Sequence, residues 1–130
     1  MIRTFAEACK KLKLDPVKSL PKVGHLPKVE QAPFIALAKL TIIIRALNAG
    51  WVPDWNSGME VKWRPWFWMD SPGFRFTASD FTYTCAVAGA GSRLCLKTRE
   101  LSDYVGKKFL PLWRDLMVLP EKAKKASKKK

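Results

Sequence analysis

Residues Gly50–Asp70, GWVPDWNSGMEVKWRPWFWMD, hold five of the six tryptophans of the 130-residue chain. Alternation over Glu60–Asp70 predicts an extended segment whose successive side chains point to opposite faces. Val61, Trp63, Pro65, Phe67 and Met69 fall on one face and read as a core-facing stripe. Lys62, Arg64, Trp66 and Trp68 fall on the other, two cations beside two large rings, on a surface expected to meet solvent or a partner. Upstream, Trp51–Trp55 and Met59–Met69 flank Asn56-Ser57-Gly58, which fits a three-residue hairpin loop with glycine at positive φ.

Working outward toward the C-terminus, Gly73-Phe74-Arg75-Phe76-Thr77 alternates. Phe81, Tyr83, Cys85 and Val87 alternate again, but out of phase, so a turn or bulge is expected at Ala78–Asp80. Gly89-Ala90-Gly91 predicts a turn and Arg93–Lys97 a last short strand. Thr98 then caps a final helix in which Leu101, Tyr104, Val105, Phe109, Leu112, Trp113 and Leu116 recur at helical spacing. Pro111 is expected to kink or split that helix near Gly106–Lys108.

Toward the N-terminus, the most apolar stretch predicts a central helix from about Pro33 to Asn48, stopped by Asn48–Gly50. Its apolar residues nearly surround it, the mark of a helix buried on most sides. The β-branched run Thr41–Ile44 suits a strand as well, but length and the alanines favour helix. Residues 16–33, with four prolines and Gly24, read as a connector. Thr4 and Glu7 fit a capping box opening a short helix with Phe5, Ala8, Cys9 and Leu12 on one face. Asp15-Pro16 closes it. The expected fold class is α+β: an antiparallel sheet of three to five strands packed against a central and a C-terminal helix, with a short N-terminal helix. Residues 1–120 are expected to form a single domain, since two independent cores would each be marginal at half this length. The Lys-rich residues 121–130 are expected to be a disordered tail.

The formal net charge is +13. The last ten residues, EKAKKASKKK, carry +5 and the other 120 carry +8, so the excess is partly built into the fold. A polyanion partner is the natural expectation, and solubilising surface charge is the plainer alternative. Three cysteines, Cys9, Cys85 and Cys95, form no CxxC and argue for a reducing compartment. They read as small buried hydrophobes. The first 14 residues lack the apolar run of a signal peptide, and Phe34–Leu47 is interrupted by Lys39 and Arg45. No membrane association is expected.

Single-stranded nucleic acid is held by cations along its phosphates and by rings that stack on its bases. Lys62, Arg64, Trp66 and Trp68, with Arg75 one strand over, supply both ingredients. The alternative is that the two indoles lie beneath the terminal helices. Lys122, Lys124, Lys125, Lys128, Lys129 and Lys130 add a sequence-independent, salt-sensitive attraction. Pro53-Asp54 followed by Glu60-Val61-Lys62 matches the PD…(D/E)xK pattern of metal-dependent nucleases. The intervening spacing is short, however, and their α/β core is absent. His25 is the only histidine and the cysteines lack ligand spacing, so no metal, cofactor or catalytic residue is expected.

Leu47-Asn48-x-Gly50-Trp51-x-Pro53-Asp54-Trp55, then Pro65-Trp66-Phe67, Gly91-Ser92-Arg93-Leu94-Cys95, Arg99-Glu100-Leu101 and Tyr104-x-Gly106-Lys107-x-Phe109 follow one another along the chain. Over Thr4–Leu119 this order resembles a family of small proteins of gut bacteria, their phages and mobile elements. Members of that family usually carry two tyrosines where this chain has Trp63-Arg64. The resemblance implies a phage or mobile-element setting, and it carries no activity and no catalytic residues. The combined expectation is a non-enzymatic nucleic-acid-binding accessory protein, with DNA favoured over RNA, in the host cytoplasm. A virion component that meets other phage proteins and reaches the packaged genome with its tail is the alternative.

Overall fold

The computed structural model describes residues 1–88 and 91–120. Five helices and two strands follow in the order α1 (Phe5–Leu12), α2 (Lys28–Asn48), β1 (Lys62–Trp68), β2 (Arg75–Thr82), α3 (Gly91–Leu94), α4 (Arg99–Lys108) and α5 (Leu110–Met117). The class is α+β. Among the described residues the sheet has two antiparallel strands rather than three to five.

Local chemistry explains the helix ends. Thr4 accepts a hydrogen bond from the Glu7 amide at 3.1 Å, and Glu7 reaches back to the amide of Arg3 at 2.8 Å. Thr98 caps α4 in the same way through the Leu101 amide. Both satisfy backbone donors that a first helical turn leaves free. α2 starts five residues before the expected Pro33 and runs through it. Lys28–Ala32 contains no breaker, and Glu30 in the first turn complements the positive end of the helix dipole. Proline therefore costs one backbone bond without ending the helix. The C-terminal helix is divided at Phe109, so that Pro111 falls in the first turn of α5, where its missing N–H has no partner to lose.

α2 is the centre of the core. Leu40, Ile43, Ile44 and Leu47 are buried, and α2 packs against α1 on one side and α5 on another. Each such aliphatic side chain contributes roughly 1.5–3 kcal/mol relative to exposure. α4 lies on the sheet. Gly106 makes that approach possible: a Cβ there would stand 2.6 Å from Cδ1 of Phe76 and 3.0 Å from Cβ of Pro65. Ser79 ties the contact with hydrogen bonds to Ser102 and Asp103. Phe67 completes the layer, stacked on Phe74 and tilted against Trp113 of α5. Trp113 donates its indole N–H to the Val105 carbonyl at 3.0 Å.

The expected strands outside β1 and β2 resolve differently. Trp51–Trp55 is loop, and Gly58 does not take positive φ; Gly50 and Gly73 do. The hairpin is instead β1–β2, joined through Met69–Phe74. Its register passes from Trp66↔Ala78 to Phe67↔Phe76, leaving Thr77 unpaired. This bulge lies one residue before the expected Ala78–Asp80 and brings Phe76, Ser79 and Phe81 onto one face. Arg93–Lys97 is not a strand: Arg93 and Leu94 end α3, and only Leu96 bridges β1, exchanging two backbone hydrogen bonds with Trp63. Asn48, buried at the end of α2, fixes that segment. Its Nδ2 donates to the Cys95 carbonyl at 3.0 Å and its Oδ1 accepts from the Lys97 amide at 3.1 Å.

Candidate nucleic-acid interface

The alternation read over β1 places Pro65 and Phe67 toward α4 and α5 and leaves Trp66 and Trp68 on the opposite face. Each indole is 49% exposed. Each also carries a guanidinium over its ring: Arg64 Cζ lies 5.7 Å from the Trp66 centroid, and Arg75 Cζ 5.6 Å from that of Trp68. Strand pairing explains the arrangement. Trp68 stands opposite Arg75, and Trp66 stands opposite Ala78, too small to cover it. Cation–π contact of this kind holds a ring in place without hiding its outer surface.

The electrostatics of the face are more balanced than expected. Arg64 Nη2 lies 3.9 Å from Asp80, and Arg75 Nη2 lies 3.5 Å from Asp70. Arg75 also donates to the Gly73 carbonyl at 2.7 Å. Two carboxylates thus stand beside two guanidinium groups, and the excess positive charge lies elsewhere. Lys10, Lys11, Lys13 and Lys18 at the N-terminus, with Lys107 and Lys108 at the end of α4, are all exposed.

Lys62 is a correction. It was expected on the binding face but its side chain is 0% exposed. Nζ donates to the carbonyls of Glu60, at 3.0 Å, and Tyr83, and pairs with Glu60 Oε1 at 3.4 Å. It also lies 5.0 Å from the Trp55 ring centroid. A buried ammonium must be paired to be tolerated, and the loop 51–60 together with the Tyr83 carbonyl just after β2 supplies those partners. Arg64 is a partial correction, because its side chain is only 14% exposed. The tail lysines Lys122, Lys124, Lys125, Lys128, Lys129 and Lys130 lie outside the described residues.

Glu60 organises the loop. It accepts from the Asp54 amide at 2.6 Å and from the Trp51 indole at 3.1 Å. The Asp54 amide, the Trp51 indole and Lys62 hold its carboxyl below the usual carboxylate range. The nuclease-like residues Asp54, Glu60 and Lys62 do come together, but as a loop staple. Among the described residues no group of three His, Cys, Asp or Glu stands close enough to hold a metal ion. Cys9 and Cys95 are buried, and burial pushes the Cys95 thiol up to about 11. Burial, with the nearby Asp15 charge, also raises Cys9. Cys85 is exposed, contrary to the expected buried hydrophobe, because the chain leaves β2 at Thr82.

Comparison of the chain with protein-family models, curated proteins and solved structures finds no match. Among the described residues no helix is long and apolar enough to cross a membrane. Asn48, Glu60, Ser79 and Gly106 escaped the sequence reading as organising residues. Only the Pro53-Asp54…Glu60-Val61-Lys62 pattern singled out one of them, Glu60, and for a different role; the partners of the others lie 23 or more positions away.

Proposed function

We propose that the chain is a non-enzymatic nucleic-acid-binding accessory protein that stacks bases on Trp66 and Trp68. One observation carries this reading: two half-exposed indoles, two residues apart on one strand, each backed by a guanidinium. Side chains at i and i+2 of a strand stand about 6.6 Å apart. That exceeds the roughly 3.4 Å rise of a duplex strand and suits an extended single strand. Stacking is worth ~1–3 kcal/mol per base and tolerates any sequence. The +13 charge supplies a phosphate attraction distributed over the exposed lysines. Arg75, with the partly buried Arg64, positions the rings, and Lys62 supports the loop behind them.

A second reading is favoured by a different observation. Met59, Met69, Val52 and Leu119 are exposed in addition to the indoles. Of these, Trp66 and Met69 line one cleft, and a continuous apolar surface of that kind suits burial against other subunits. The chain would then be a phage structural or protein-interaction component. The phage setting, with host cytoplasm or virion as its location, rests on the sequence resemblance alone.

Anisotropy of labelled single- and double-stranded oligonucleotides, titrated with salt, tests the proposal. Tighter single-strand binding with a negative salt slope is expected. No binding of either at low salt would sink it.

A further inference from the structure

Beside Trp66, between β1 and the end of α5, lies a cleft of about 510 Å³. Its walls include Leu37, Phe67, Trp113, Leu116 and Met117, and Trp66 forms one edge. This volume lies within the roughly 300–1,000 Å³ range of small-molecule sites. Met69 and Met117 make part of the lining pliable. Among the described residues Arg64 is the only ionisable side chain in the wall.

Arg64 is also under-compensated. Its Nη1 is buried with no hydrogen-bond partner among the described residues. Besides the Trp66 ring over which the guanidinium lies, its Nη2 has only the long, 3.9 Å contact to Asp80, whose Oδ1 accepts from the Phe81 amide. A buried cationic donor left unpaired is costly. An apolar cleft with one unsatisfied guanidinium in its wall calls for an occupant with the opposite pattern.

We propose that the cleft binds a small amphiphile: an alkyl chain among the apolar walls and a single carboxylate on Arg64. Charge selects the head group. One guanidinium beside Asp80 accommodates a monoanion, whereas a phosphate monoester dianion would face the Asp80 carboxylate with no second cation among the described lining residues. The alkyl body follows from the absence of other polar side chains in the described lining. The cleft shares Trp66 and Arg64 with the stacking face, but occupancy of it is read without nucleic acid and does not rest on base stacking.

Isothermal titration of the full chain with decanoate and with decan-1-ol, without nucleic acid, tests the proposal. Saturable decanoate binding, about tenfold tighter than the alcohol, is expected, the margin of one charge-assisted hydrogen bond. Arg64→Met should remove the difference between the two ligands. Leu116→Trp, which fills the cleft, should weaken both. Equal affinity for acid and alcohol, no decanoate binding, or an unchanged Leu116→Trp variant would each overturn the assignment. The acid–alcohol comparison decides on the unaltered protein if either variant does not fold.

Discussion

Lys62 Nζ lies 3.4 Å from Glu60 Oε1, beneath the loop that carries Trp51 and Trp55. This pair turns the most conspicuous motif of the chain into a structural joint. Removing one partner leaves the other poorly compensated, and Lys62 gives up two carbonyl acceptors besides. Lys62→Met is therefore expected to lower stability by on the order of 3 kcal/mol. Urea unfolding measures this, and oligonucleotide affinity of the folded variant should stay unchanged.

The same joint makes stability depend on acid. Glu60 titrates below its unfolded value in the native chain. Its contribution is thus fully present above about pH 4.3, the ordinary glutamate value, and is lost as pH falls through the lower folded value. Glu60→Gln should flatten the acid limb of a thermal-melting series between pH 3 and 6, settings chosen to span roughly that range.

Gly106 sets the distance between α4 and the sheet. A methyl group there meets the Phe76 ring and Pro65 and forces the helix away. Gly106→Ala should cost about 1–3 kcal/mol despite alanine's better helix propensity. An exposed helical position would gain stability from the same change, so equilibrium denaturation discriminates by sign.

Thiol reactivity reports the core. Cys85 is exposed, whereas Cys9 and Cys95 are buried with raised thiol values. Only the thiolate reacts. An aromatic disulfide reagent should label Cys85 rapidly in the native protein and the other two only on unfolding. Fast labelling of Cys95 would contradict the packing around Asn48.

Much of this architecture was legible in local pattern. The two capping threonines, the helix α2, the opposed faces of Pro65–Trp68 and the phase slip in β2 each follow from spacing or chemistry within a few residues, whereas Met69, read as core-facing, and Phe34 of α2 are exposed. The rest depends on distant partners. Nothing near Lys62 says that the Tyr83 carbonyl will receive it, so its place in the alternation suggested a surface cation. Arg93–Lys97 has strand-like composition, yet Asn48 holds it so that only Leu96 reaches β1. In the candidate site, alternation put Trp66 and Trp68 on one face but left open whether the terminal helices cover it; their exposure depends on where those helices pack. The neutralising roles of Asp70 and Asp80 depended on strand pairing and the turn that joins the strands.

The most direct measurement is the single-strand affinity of Trp66→Ala/Trp68→Ala against the unaltered chain at fixed salt. Base stacking on these rings requires a loss of roughly tenfold or more, with the salt slope preserved because the lysines remain. Unchanged affinity in a folded variant would show that charge alone binds the strand, and would contradict the central role given to the indole face.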